Sequence, residues 1–499
     1  MRNTKKVIAA TAAVATLVGL AACGSSNDNG ANKGDADKAE LVFWGWDSGN
    51  SMKEILADFE KANPGITVKF NNTGTAEKTS TALSNAIAAG NGAPDVVMLE
   101  DPTVTQFAVT DGLVDLSEFG ADKLADDFAA GPWNKLQYNN KPYALPIDSG
   151  PEMFFYNKAV FDKAGVDGES IKTWNDYYEA AKKIRATGSY ITNLAGTSND
   201  YQPFTAQIWQ AGAQPWKVDG ENITINMTKD EGMQRYIQFV QKLIDEDLVD
   251  AKTPNWSDDW NRELNDGTLA SLTIGAWMPI NLMTGAPDQA GNWRVAQLPQ
   301  WEEGKEVSAE DGGSALAVTS QSKNQAAAYK LVEYMTHGEG AQTMADTGTF
   351  PSLKKILRSD SFTDPTTESN KKTNDYFGGQ NVNEVLSAAA QRPTEKFQYL
   401  PYNPYAQTAY GDEVSKAYSG DITLEKALEN YANKLAEQGR RSEATTSPSS
   451  ERNRSIAGTS GTDQQSKPAA RPLSFRLAAR SPKAGMLPSV PALPCPHLT

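Results

Sequence analysis

Histidine and cysteine chemistry is almost closed to this chain. Of its 499 residues two are His (His337 and His497) and two are Cys (Cys23 and Cys495). No HExxH pair, His-rich zinc site or Ser-His-Asp set can be assembled from them. The pattern GxSxG does not occur, and Gly338-Glu339-Gly340 lacks the third glycine of a dinucleotide loop. Nor does GxxxxGKS/T, so the chain itself is not expected to hydrolyse ATP. What remains is carboxylates and aromatic rings. The 62 Asp and Glu residues offer acceptors for polar hydrogens, and a pair of them flanking a glycosidic bond would make a glycosidase. Two short stretches concentrate these types, Trp46-Asp47 and Glu100-Asp101.

The elements that must position them form a run of alternating strands and helices. Leu41-Val42-Phe43-Trp44 predicts a strand. Ser51 and Glu54 form a capping box ahead of Met52, Ile55, Leu56 and Phe59 on one helical face, and Asn63-Pro64-Gly65 stops that helix. Ile66, Val68 and Phe70 alternate as a second strand, residues 82–89 predict a second helix, and Asp95-Val96-Val97-Met98-Leu99 reads as a third strand. This order implies an α/β fold with a parallel sheet covered on both faces. Ligands of such sheets sit beyond the carboxyl ends of the strands, so both stretches share one edge. Packing of Trp46, and helix capping by Asp47, Glu100 and Asp101, are equally open there. Further on, Pro142, Pro146, Gly150 and Pro151 mark where the chain leaves one unit for another.

A net charge of −15 argues against nucleic acid as a partner. Residues 1–22 begin with Arg2, Lys5 and Lys6 and continue as an apolar run, which predicts a secretory signal too short to be a comfortable membrane span. Residues 23–39, rich in Gly, Asn, Ser and Asp, predict a flexible tether. From residue 440 the composition turns basic and proline-rich, with Phe475 as its one aromatic, and residues 440–499 are expected to be a disordered or aberrant tail. No cofactor and no metal are expected.

Leu20-Ala21-Ala22-Cys23 resembles the lipobox of bacterial lipoproteins, in which the cysteine carries the lipid. Six further stretches extend a resemblance over nearly the whole body: LVFWGW with FEKANPGITVKF, GNGAPDVVMLED, NNKPYALPIDSGPEMFFYNKAVFDKAG, TWNDYYEAAKKI, ELNDGTLASLTIGAWMP and GGSALAVTSQSKNQAAAYKLVEYM. In this order the chain resembles the substrate-binding lipoproteins of carbohydrate ABC importers, the maltose-binding-protein-like extracellular solute-binding proteins of family 1. The resemblance implies a two-lobe periplasmic-binding-protein-like fold with a hinge and an inter-lobe ligand cleft. One lobe would hold residues 40–147 plus 296–322, the other 150–292 plus 325–439. It also implies a non-enzymatic monomer, lipid-anchored at Cys23 to the exterior of the cell membrane, that captures a neutral sugar or oligosaccharide and passes it to ABC permease subunits.

Sugars present apolar CH faces and a rim of hydroxyls, so their sites need flat rings and fixed carboxylates or amides. Trp277, in Ile274-Gly275-Ala276-Trp277-Met278-Pro279, corresponds most closely to the family's sugar-stacking tryptophan. Asp200-Tyr201 corresponds to an acidic-aromatic contact pair, with a surface turn as the alternative. Trp209 and Trp216 fall where the family holds the far end of longer ligands. Asp148, and Gly313 within Gly312-Gly313-Ser314, are expected on the rim. Trp46-Asp47 stands where the group carries other polar contacts, which leaves the sugar open. The rival readings are a secreted glycosidase, or capture of glycerol phosphates or peptides in the same fold. A phosphate ligand would want Arg and Lys where these loops carry Trp and Asp.

Overall fold

The computed structural model describes residues 34–47, 52–219, 222–347, 349–394, 397–446 and 473–476. The expected signal, Cys23, Ser51, much of the tether and most of the tail lie outside the described residues.

Strands β1 (Ala39–Gly45), β2 (Ile66–Asn72) and β3 (Val96–Glu100) run parallel, β1 in the middle, with Phe43 opposite both Phe70 and Val96. The helix Met52–Ala62 buries Met52, Ile55, Leu56 and Phe59, the i, i+3, i+4, i+7 stripe of an amphipathic helix. The next helix, Ala76–Ala89, starts earlier than its apolar spacing suggests. Thr75 caps it by accepting the Lys78 N–H, and Gly90, left-handed at φ 73°, closes its other end.

After a short hairpin, β4 (Gln137–Tyr138) with β5 (Lys141–Pro142), β6 (Leu145–Pro146) lies at the edge of this first sheet. The chain then leaves. Its next strand, β7 (Glu152–Asn157), is buried along its whole length and centres a second sheet. Between β7 and its partners the chain makes the hairpin β8 (Trp216–Asp219) with β9 (Asn222–Ile225). Strands β10 (Ser271–Gly275) and β11 (Trp293–Gln297) flank β7 antiparallel, pairing Leu272 and Val295 with Phe155.

Strand β12 (Ser314–Val318) brings the chain back between β3 and β6. It enters at the end where β3 leaves, Ser314 opposite Glu100, and so runs antiparallel. The sheet is therefore mixed and not wholly parallel as its first three strands imply.

The helices after β12 differ from expectation as well. Gln325–Thr336 and Glu339–Asp346 bury Leu331, Val332, Met335 and Met344 in one core with Phe43, Ile55 and Phe59. They cover the first sheet, although 325–439 was expected wholly in the other lobe. The short link from β12 leaves the apolar stripe no nearer surface to cover. Phe350 and Leu357 already reach the core of the second body, where Tyr376, Phe377, Val382 and Leu386 join Trp293 and Phe155.

Three of the described chain segments thus run side by side between the bodies. Pro151 bridges Glu310, Asp148 bridges Pro351, and the Ser149 N–H donates to the Phe350 carbonyl at 3.1 Å. Two short described pieces of the expected tail form regular elements. The helix Leu424–Thr446 continues past residue 440, and β13 (Leu473–Arg476) pairs antiparallel with the edge of β9, Leu473 opposite Ile225. An edge strand with unpaired backbone groups accepts such an addition.

Candidate functional site

Between the two bodies lies a cavity of about 890 Å³, walled by both and floored by the crossing segments. The first body contributes Trp46 beyond β1, Glu100 at the end of β3, and Ser80, Thr81 and Ser84 from one face of the helix Ala76–Ala89. The second body contributes Gln202, Asn255, Trp256 and Trp277. The crossings contribute Asp148 and the run Asp311-Gly312-Gly313-Ser314.

Trp277 follows β10 directly and is half-buried. Its indole N–H donates to the Asp311 carbonyl at 2.8 Å, so the ring is held to the hinge rather than free to turn. Trp256 stands beside it, ring centroids 5.6 Å apart at 35°, and touches Trp260 behind. Trp256 is 45% exposed and adopts φ +69°, a left-handed backbone that costs a bulky residue energy. Its neighbour Asn255 is locked, accepting from the Asn193 amide at 2.6 Å and donating to Asp200 at 2.7 Å.

The hinge floor is acidic and largely buried. Burial, then the neighbouring Asp101 charge, pushes Asp148 up to about 7, although its Oδ1 accepts the Ser314 backbone N–H. Burial also pushes Asp311 up to about 7, and its Oδ2 has no hydrogen-bond partner among the described residues. Glu100 is raised by burial and then by Asp101 and Glu77. Carboxyls poised near neutrality can donate as well as accept, which suits hydroxyl groups. Among the described residues no Lys or Arg lines the cavity, so none of them neutralises a phosphate there. Nor is any group of three or more His, Cys, Asp or Glu among the described residues placed to hold a metal.

Of the residues singled out from the sequence, the cavity gathers Trp46, Glu100, Asp148, Trp277 and Gly313. Five others sit elsewhere. Asp47 accepts the Met52 N–H at 3.4 Å, at the start of the first helix. Asp101 is fully buried, 2.7 Å from Lys135. Asp200 is buried beneath the wall, accepting the Thr197 N–H and holding Asn255 in place. Tyr201 donates to Asn403 at 2.9 Å and packs on Tyr410, and Trp209 stacks on Phe397 at 5.4 Å. Both lie on the inward face of the helix Tyr201–Gln210, whose phase turns them into the second core while Gln202 faces the cavity. Trp256, Gln202 and Asp311 sit on loops and a helix, where the strand-end rule for ligand sites does not reach. The polar run Asn255-Trp256-Ser257-Asp258, which sets a tryptophan among turn residues, was the available signal.

A model of bacterial extracellular solute-binding proteins matches residues 45–342. The arabinooligosaccharide-binding protein of Halalkalibacterium halodurans is 27% identical over 409 residues, 78% of this chain and 88% of that one. The galactooligosaccharide-binding protein of Bacillus subtilis is 26% identical over 367 residues, 71% and 82% of the two chains. Among solved structures, an ABC transporter associated binding protein from B. animalis subsp. lactis Bl-04, in complex with β-1,6-galactobiose, is 45% identical. The match covers 81% of this chain and 98% of that one with a TM-score of 0.67. The lacto-N-biose-bound GL-BP of Bifidobacterium longum, 24% identical, covers 82% and 98% with a TM-score of 0.67 and shares the fold.

Proposed function

The chain belongs to the bacterial extracellular solute-binding proteins, and from that premise we propose that it is the capture component of an ABC importer for a neutral oligosaccharide. One observation carries this reading: an inter-body cavity of about 890 Å³ that sets the Trp277 and Trp256 rings against carboxyls, amides and hydroxyls, with no basic residue among the described ones that line it. The volume lies within the roughly 300–1,000 Å³ of small-molecule sites. A pyranose CH face lies on Trp277, while Glu100, Asp148 and Asp311 engage hydroxyls from below and Gln202 and Asn255 from the side. The crossing segments act as a hinge, so that closure expels water and strengthens each of these polar contacts. The closed form passes its sugar to a permease. Cys23 anchors the monomeric chain by lipid to the exterior face of the cell membrane, and no bond of the sugar is cleaved.

The 45% identical structure directs the choice of sugar to β-linked galacto-oligosaccharides, with β-1,6-galactobiose first. Calorimetric titration of the complete chain with this disaccharide, arabino- and malto-oligosaccharides, glycerol phosphates and peptides tests the proposal, with chromatography of the sugar afterwards. Saturable heat from an intact neutral sugar is expected. Cleavage products, or heat from glycerol phosphates or peptides alone, would overturn it.

A further inference from the structure

The cavity explains the residues that line it but not Lys135, which lies behind the hinge and does not reach the cavity. Lys135 ends the helix Ala130–Lys135 of the first body, and its side chain is fully buried. Its Nζ lies 2.7 Å from Asp101 Oδ2, also fully buried, and donates to the carbonyl of Gly312 in the second crossing segment. Burial pulls the Lys135 ammonium down, but the carboxyls of Asp101 and Glu310 outweigh it and hold the charge in place. Four acids among the described residues face this cation: Asp101, Glu310, Asp148 and Asp311.

The backbone around it is shaped to the ion pair. The Asp101 N–H donates to the Gly313 carbonyl at 3.0 Å. A Cβ on Gly313, whose φ is +122°, would overlap Asp101 Oδ2 and fall 3.1 Å from Lys135 Nζ, so only glycine fits. Two residues earlier, the Asp311 carbonyl holds the Trp277 indole N–H, and the Asp311 N–H donates to the Gly150 carbonyl in the first crossing at 2.7 Å. Two successive carbonyls of one crossing are therefore gripped from opposite sides, Gly312 by the first body and Asp311 by the ring of the second.

We infer that Lys135, held by Asp101, is a positioning residue for the Trp277 platform: by fixing the Gly312 carbonyl it fixes the Asp311 carbonyl that orients the indole. A buried ion pair adds little stability over apolar residues of similar volume, so stability alone does not account for it. Orienting a ring that must meet a ligand face does. The inference rests on the proposed function only for what the platform binds.

The test follows the Trp277 indole N–H, assigned through Trp277→Phe, by hydrogen exchange in the complete chain. The double variant Asp101→Asn/Lys135→Met removes both charges at nearly constant volume. Exchange at Trp277 is expected to accelerate about tenfold or more, while the Trp174 indole, bonded to Gln210 at 2.9 Å in the second body, keeps its rate. Affinity for β-1,6-galactobiose falls about tenfold with the melting temperature nearly kept. If that variant does not fold, Asp101→Asn/Lys135→Gln, whose shorter amide falls short of Gly312, is expected to show the same acceleration. Wild-type exchange at Trp277 in whichever variant folds would overturn the inference. A wild-type protein that binds no sugar overturns the functional proposal, and the exchange rates still decide the role of Lys135.

Discussion

Trp277 meets the cavity with one face and is tied to the hinge through one hydrogen bond, so the two roles of the ring separate under substitution. Trp277→Ala removes the stacking face and is expected to weaken sugar binding by about 2 kcal/mol, roughly thirtyfold, in calorimetry. The half-buried ring leaves the melting temperature of the ligand-free protein within a few degrees. Asp148 tests the other kind of contact. Burial, then Asp101, raises its pKa to about 7, while an unfolded chain returns it to about 4. Between those values the folded state holds the extra proton, so this group's contribution to stability falls as pH rises from about 4 to about 7 and then levels. Asp311, raised to about 7, acts in the same sense. Asp148→Asn keeps an acceptor for the Ser314 N–H and removes one titration. Its melting temperature is expected to exceed wild type by a few degrees at pH 8 and to match it near pH 4, a difference that scanning calorimetry at the two pH values would register.

At the scale of elements, the helix Gln325–Thr336 carries the sharpest consequence. Leu331 is buried in the core of the first sheet, so Leu331→Ala opens a cavity there at a cost of about 2–5 kcal/mol. Denaturant titration should show that loss, and galactobiose affinity should change less than tenfold, because Leu331 is not among the residues that line the cavity. The strands β1 to β3 and the helices between them were legible because local spacing decides them: Ile55, Leu56 and Phe59 mark a face without reference to anything distant. Trp277 came from the resemblance to the family's sugar-stacking tryptophan and not from spacing, and it lines the cavity. The burial of Tyr201 and Trp209 was not legible, since nothing local tells which face of their helix meets a core assembled from Tyr410, Phe397 and Tyr431, some two hundred residues on. Helix 325–336 is the same problem at larger scale. Its stripe is plain, but which sheet it covers depends on where β12 re-enters. The pairing of β13 with β9 is a long-range event of the same kind, hidden in a composition that suggested no order.

At the scale of the whole molecule, two bodies with separate cores are joined by segments that bond to one another. Ser149 Oγ and the Gly150 N–H both donate to Glu310, at 3.0 and 2.8 Å, and Ser314 closes on Asp148. Such a hinge can bend without unfolding either core, and a ligand that touches both walls biases it toward closure. The radius of gyration from small-angle scattering should therefore shrink on saturation with sugar. The central claim, that a neutral oligosaccharide is gripped between the bodies on the Trp277 platform, meets its most direct test in a crystal structure grown with saturating β-1,6-galactobiose. An intact sugar is expected in the cleft, one pyranose ring lying flat on Trp277 with its hydroxyls on Asp148, Asp311 or Glu100. A sugar bound outside the cleft, or a cleft holding a phosphate or peptide in its place, would contradict that claim.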